Sequence, residues 1–426
     1  MRQSRIGRKC RRTARYSGLI VAAVAAMILS GCTSSSDEVV TVTSTAGAAG
    51  SAPGLGGSQA PTGESDGLWS TVRVSVNPKF GSKDVSPTDP VTLTVFSATI
   101  KELKVTADDG TEVTGKVSDD KATWTLAERL AFNTRYTFDG IAVAADGTES
   151  PISGSMKTIK PQKTIRASFQ IPKGATVGIA APVIITFAEA IEDRAAAQAT
   201  FTLTTDKGKI KGSWGWLQDE DTQGNGVKQS IVHFRPAAFW PAHTKVHVEA
   251  KLAGVNYGNG EWGREDIATD FTIGRGQIVR ADVSTHRMVV LVDDHVVKNY
   301  PVSYGKDAVI GRNTVSGTHV VTQKFPEYSM CNPEYAYCNV TEKWAVRINN
   351  NGEFIHENAL TTPFLGKENV SHGCINMGVG DAQEYYDSAL YGDPVVVTGT
   401  GAPMTERDSI YDWIYSYDDW QTLSAL

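Results

Sequence analysis

Cys374 stands in the run Val370-Ser-His-Gly-Cys-Ile-Asn-Met377, and His356 lies 18 positions upstream, closing the run Glu353-Phe-Ile-His356. A thiol with a pKa near ~8.5 is mostly protonated at neutral pH, and a neighbouring imidazole that accepts its proton turns it into a nucleophile. Gly373 permits a tight backbone turn that exposes successive N–H groups, so Cys374 can sit beside its own oxyanion donors. The chemistry open to this set is that of a nucleophile–base pair. A His at a strand end is more often a hydrogen-bonded structural residue, so the surroundings must decide.

The chain has five cysteines. Cys10 and Cys32 belong to the N-terminal leader and its end, which leaves Cys331, Cys338 and Cys374 in the body. Cys331 and Cys338 are seven apart in a stretch rich in Asn, Pro and Tyr, a separation that a disulfide closes readily in an oxidising compartment. Cys374 is then unpaired. The other arrangement bridges Cys374, frees one of the pair and removes the nucleophile. His243 and His247 have the i, i+4 spacing of a helical zinc pair, but Thr244, Val246 and Val248 alternate as in a strand and no Glu follows His243. They read as solvent-facing strand histidines.

The elements that must position Cys374 and His356 are strands. Ile278–Val283, Met288–Val292 and the Val296-Val297 run form a meander whose last turn is Asp293-Asp294. Asp381 to Leu390 reads as a helix, with Asp381 as N-cap and Glu384 at capping-box spacing; Gly392 and the strand after Pro394 follow it. Further upstream, alternating runs such as Val72, Val74, Val76 and Val91, Leu93, Val95 are separated by turn signals at Asn77-Pro78, Asp109-Gly110 and Asp146-Gly147. The same grammar returns after Pro161: Asn133-Thr-Arg-Tyr-Thr-Phe138 is echoed by His243-Thr-Lys-Val-His-Val248, 110 residues on. The fold class expected is mainly β: two tandem immunoglobulin-like sandwiches, residues 68–159 and 160–274, then a β-rich domain at 275–399 with one or two short helices. Residues 400–426 carry Tyr411, Trp413, Tyr415, Tyr417 and Trp420, too many aromatics to stay in water, and should pack on the preceding domain as a short helical extension.

The N-terminus reads as an address. Seven basic residues and no acid precede residue 32, and Leu19 to Leu29 is an apolar core of signal-peptide length. Leu29-Ser30-Gly31-Cys32 resembles a bacterial lipoprotein box, which implies cleavage after residue 31 and lipidation of Cys32. A plain secretory signal is the alternative; either way the protein leaves the cytosol. Residues 32–67, rich in Ser, Thr, Gly and Ala, form a flexible tether with a reach of about 30–35 Å. Without the seven leader positives the chain holds 34 basic against 47 acidic groups, a net of −13 instead of −6. An acidic body argues against a nucleic-acid partner, since phosphate contacts need clustered Lys and Arg.

At His356 and at Ser371-His-Gly-Cys-Ile-Asn376 the sequence resembles the peptidoglycan L,D-transpeptidases, whose signature is a His on a strand, a variable loop, then Ser-His-Gly-Cys-(apolar)-Asn. With the lipobox, tether and two sandwiches ahead of it, the likeness extends over nearly the whole mature chain. It implies that Cys374 attacks the carbonyl of the third residue of a tetrapeptide stem with release of D-Ala, and that His356 serves as base and then acid. N–H groups of the His372-Gly373-Cys374 turn would hold the oxyanion. An amine from another stem would then resolve the thioester into a 3→3 cross-link.

The resemblance further implies a groove lined by Asn376 and the Asn351-Gly352 pair, with Ser371 and Tyr337 as further substrate contacts, under a lid formed by Met330 to Trp344. No metal or organic cofactor is called for. Carbapenem-type β-lactams should acylate Cys374, and the expected setting is a lipid-anchored monomer at the outer face of the cytoplasmic membrane in a bacterial envelope. Two departures stand out: Glu357 follows the His where the family has a small residue, which leaves the third triad member open, and the lid carries Cys331 and Cys338. The other readings are an L,D-carboxypeptidase using water and a non-catalytic envelope-binding protein.

Overall fold

A computed structural model describes residues 40–41, 72–309, 311–332 and 337–426, with Val40, Thr41 and Tyr337 described by their backbone. The leader, Cys32 and the tether apart from Val40–Thr41 lie outside the described residues; Val40–Thr41 pairs antiparallel with Arg73–Val74. The chain is mainly β, built around three successive apolar cores.

In the first unit a five-stranded sheet, in spatial order Val40–Thr41, Arg73–Asn77, Thr92–Phe96, Thr123–Leu126 and Gly115–Val117, is joined by a three-stranded sheet of Ala98–Ala107, Arg135–Ala144 and Glu149–Lys157. Every second residue of Arg135–Ala144 from Tyr136 onward is buried, the period-two mark of a half-buried strand. Leu93, Trp124, Phe138 and Ile152 fill the space between the sheets.

The second unit repeats the plan with two four-stranded sheets around Ile185, Phe187, Trp216, Val248 and Ile273. The duplication extends to the backbone. Asn133 and His243 both hold left-handed φ angles, 53° and 58°, in the turn just before Arg135–Ala144 and Lys245–Ala250. His243 is therefore an exposed turn residue rather than a strand residue, a correction to the sequence reading. His247 does lie on the strand's exposed face, with Nδ1 2.7 Å from Asp270.

The third unit is a nine-stranded sheet in the order Gly317–Val320, Pro394–Thr398, Gln277–Asp282, Arg287–Val292, His295–Ser303, Ile375–Met377, Phe354–Glu357, Tyr337–Arg347, Gln323–Asn332. Asp293 and Asp294 take φ values of 50° and 65°, the primed geometry that suits a two-residue hairpin. The helix runs Asp381–Ser388, but its N-cap is Gly380 and no capping side chain is engaged. Gly380 (φ 88°) already turns the chain into the helix, so Asp381 is its first helical residue. Glu384 reaches Tyr300 and Lys298 instead of closing a capping box.

The tail meets its expectation only in part. Its first part does bond to the third unit: Ser316 N donates to Ala402 O (2.7 Å) and Asn349 Nδ2 to Asp408 Oδ1 (2.8 Å). The aromatic part sits at the junction: Trp413 packs with Val320 of the third unit and with Ala180 and Phe239 of the second sandwich, on which the rest docks. Trp413 Nε1 donates to Ala180 O (3.1 Å) and Trp420 Nε1 to Ser213 O (3.0 Å), while buried His233 lies 2.9 Å from buried Asp412. Arg235 supplies the reason, stacking its guanidinium 4.8 Å from the Trp413 ring and 5.3 Å from Trp420.

Candidate active site

Three neighbouring strands of the nine-stranded sheet build the site. Ile375–Met377 runs parallel to Phe354–Glu357 in a register that sets His356 beside Asn376. Cys374, two residues before Asn376, falls on the same face by strand alternation. The hairpin Gln323–Asn332 and Tyr337–Arg347 pairs with Phe354–Glu357 through Val346 and Arg347 and overhangs the site as the expected lid. Cys331 and Cys338 join sulfurs across it, leaving Cys374 the free thiol among the described cysteines.

The turn before the thiol is held from both sides. Arg312 donates to the carbonyls of Val370 (2.6 Å) and Ser371 (2.9 and 3.1 Å). Ser371 Oγ donates to Cys374 O (2.6 Å) and accepts the Gly373 N–H (3.1 Å). Ser371 is thus a buried brace of the turn. Gly373 holds φ 122°, a region costly for any residue with a Cβ, and its carbonyl accepts from Thr314 Oγ1 (2.7 Å). Since the Gly373 N–H is spent on Ser371, the Cys374 N–H, with no partner among the described residues, is a donor open to an oxyanion. The His372 side chain is exposed; burial first, then the Arg312 charge, lowers its pKa, so the ring is neutral at neutral pH.

His356 is buried, and its Nδ1 donates to the backbone carbonyl of Glu357 (2.8 Å). The residue in the open third position therefore acts through its main chain, whatever its side chain. Sequence reasoning missed a second partner: Glu342 Oε2 lies 3.5 Å from the same Nδ1, with Asn358 Nδ2 donating to its other oxygen (3.2 Å). Burial pulls the His356 pKa down, but hydrogen bonds and charge from Cys374 and Glu342 outweigh it and raise the ring to about 10. Such a ring readily keeps a proton taken from the thiol.

Cys374 is partly exposed, with Sγ 3.5 Å from Gly352 O. Two cavities open on it. One, of about 400 Å³, is lined by Asn351, Gly352, Tyr328, Arg347 and His372. The other, of about 340 Å³, is lined by Glu342, His356, Asn358, Ser371 and Asn376; Met330 of the lid borders both. Asn351 Oδ1 accepts the Glu353 N–H (3.0 Å), and Asn376 is buried with Oδ1 unpartnered. Tyr337 is in the lid strand, opposite Asn332; its side chain lies outside the described residues. Trp344 turns away from the groove and packs on Tyr386. Behind the thiol, Glu353 is buried, accepting from Val315 N (2.8 Å) and Asn349 Nδ2 (3.2 Å); burial raises its pKa, against the opposing charge of His319.

Comparison with known proteins places the two parts of the chain in families. Residues 82–256 match the model of a bacterial Ig domain, and residues 276–397 match that of an L,D-transpeptidase catalytic domain. A crystal structure of L,D-transpeptidase 3 from Mycobacterium tuberculosis with a faropenem-derived adduct is 27% identical, covering 55% of this chain and 97% of that one at a TM-score of 0.42. L,D-transpeptidase 2 of Mycobacterium tuberculosis is 30% identical over 353 residues, 81% of this chain and 83% of the relative. L,D-transpeptidase 5 of the same organism is 43% identical over 356 residues, 83% of this chain and 77% of the relative. An enzyme on these grounds rather than a passive envelope binder, the chain belongs to the L,D-transpeptidases.

Proposed function

We propose that the chain forms 3→3 cross-links between peptidoglycan stems. Cys374 passes its proton to His356 and attacks the carbonyl of the third stem residue. As the C–N bond breaks, His356 returns the proton to the leaving D-Ala amine, leaving a thioester on sulfur. The side-chain amine of a second stem attacks the thioester, His356 takes its proton, and the thiolate leaves. The observation that carries this reading is a partly exposed sulfur beside a buried imidazole, with a separate cavity on each flank.

The test is to incubate the protein with tetrapeptide stems and weigh the products. A thioester adduct on Cys374 and a stem dimer lighter by one D-Ala support the proposal; free tripeptide alone would mean that water is the acceptor and the enzyme a carboxypeptidase. β-Lactams of the carbapenem type fit the same step, since opening a strained ring amide acylates the thiolate with no leaving group to expel.

The same reading places the body outside the cytosol as a lipid-anchored monomer, held by Cys32 to the outer face of the cytoplasmic membrane. Leu29-Ser-Gly-Cys32 and the low-complexity stretch behind it support this. There the Cys331–Cys338 bridge can persist. Loss of membrane association in Cys32→Ala would support the anchor; unchanged association would overturn it.

A further inference from the structure

Arg347 ends the second lid strand, and its guanidinium is cradled by three rings. Its central carbon lies 4.4 Å from the Phe354 centroid, 5.3 Å from Tyr328 and 5.9 Å from Phe325. One amino group donates to Tyr328 Oη (2.8 Å), while Nε is buried without a partner. Among the described residues no carboxylate pairs with it. Glu353 shares its cavity, yet that carboxyl is committed to Val315 and Asn349 and is pushed by burial toward its neutral form. Arg347 also borders a second cavity that holds Glu406 and Asp408, but among the described residues neither forms an ion pair with it, so the cation has no partner carboxylate where it faces the cavity that opens on Cys374 from the Gly352 side. The cavity on the opposite side carries Glu342.

We propose that Arg347 binds the C-terminal carboxylate of the stem that is cleaved, and so selects stems that still carry their terminal residue. This deepens the reaction proposed above and rests on it. That carboxylate is three bonds from the carbonyl carbon under attack, so seating it in the Arg347 cavity swings the leaving amine to that side of Cys374. The opposite cavity, lined by Glu342 and His356, is then open to the incoming amine. A guanidinium fixed by stacking loses little freedom on binding and presents paired donors that match a carboxylate, as a Lys ammonium does not.

A purely structural Arg347, tying the lid to Phe354, would affect all stems alike. The test therefore compares two tetrapeptide stems, one ending in a free carboxylate and one in a carboxamide, by the rate of thioester formation on Cys374. The wild-type chain should prefer the free acid by ~10–100-fold, the span of one charge-assisted hydrogen-bonded pair. Arg347→Met should lose that preference, and Arg347→Lys should keep part of it. Because each ratio is taken within one variant, partial unfolding cancels; if the Met variant fails to fold, the wild-type and Lys ratios still decide. Equal rates on both stems in the wild type, or an undiminished preference in Arg347→Met, would overturn the anchor while leaving the reaction intact. No thioester from either stem in the wild type would overturn the reaction, and the anchor with it.

Discussion

The core of the second sandwich and the surroundings of Cys374 are both built on strands and both bury side chains, but what they bury differs. The sandwich core holds Phe187, Trp216, Trp240 and Tyr257, with Phe187 stacked on Trp216 at 5.7 Å and edge-on to Tyr257 at 5.7 Å. Around the thiol the buried residues include His319, Asn349, Glu353, His356, Ser371 and Asn376. Apolar burial stabilises wherever it occurs, whereas buried polar groups hold only while each keeps its partners. One region supplies stability and the other spends it on geometry.

The largest effect should come from Cys374→Ala. Thioester formation should vanish, a loss of ~10³-fold or more, while the thermal midpoint falls only by what the sulfur contributes to holding the His356 proton, less than the fall in Phe187→Ala. A large fall in midpoint would mean that the thiol is part of the packing and would erase the contrast. Phe187→Ala should do the reverse. It should cost ~3–5 kcal/mol in denaturant titration, with the rate per folded molecule in the cold unchanged. Gly373→Ala falls between the two. A Cβ would meet only ordinary contacts, at 3.4 Å from Asn313 O, so the penalty is backbone strain at φ 122°, about 1–3 kcal/mol. It should appear as slower acylation together with a lower midpoint.

The smallest effect is expected from Glu342→Gln. The His356 pKa is raised from 6.5 to about 10, so the folded chain binds this proton more tightly than the unfolded one. The resulting stability is fully present below pH 6.5 and is lost as pH rises through about 10. With the carboxylate removed, that loss should set in at lower pH and the acylation rate should drop by ~10-fold or less. An unchanged alkaline limb would mean that the Cys374 sulfur alone holds the proton.

The thiol, the imidazole and the β character were legible because each is local: a turn motif, a strand end, a period of two. Glu342 was hidden for a definite reason. Counting back by twos from buried Val346 through Trp344 puts Glu342 on the face of Ile355, away from His356. The left-handed backbone at Trp344, φ 52°, breaks that count and turns Glu342 into the cavity. Arg347 was hidden because its partners Phe325, Tyr328 and Phe354 come from two other strands. The tail's aromatic content announced burial, but the surface that buries it is fixed by Arg235 and His233, nearly two hundred residues earlier.

The path of those last residues has a consequence for where the enzyme begins and ends as a physical object. After the final strand, Pro394–Thr398, the chain passes Asn349 behind the nucleophile and closes on the sandwich, where Trp216 N donates to Leu423 O (2.9 Å). Cut at Gly399, the polypeptide would keep Cys374 and His356 yet leave Asn349 without Asp408, and His233 and the Trp216 N–H bare. The segment after the final strand thus ties the nucleophile's unit to the second sandwich.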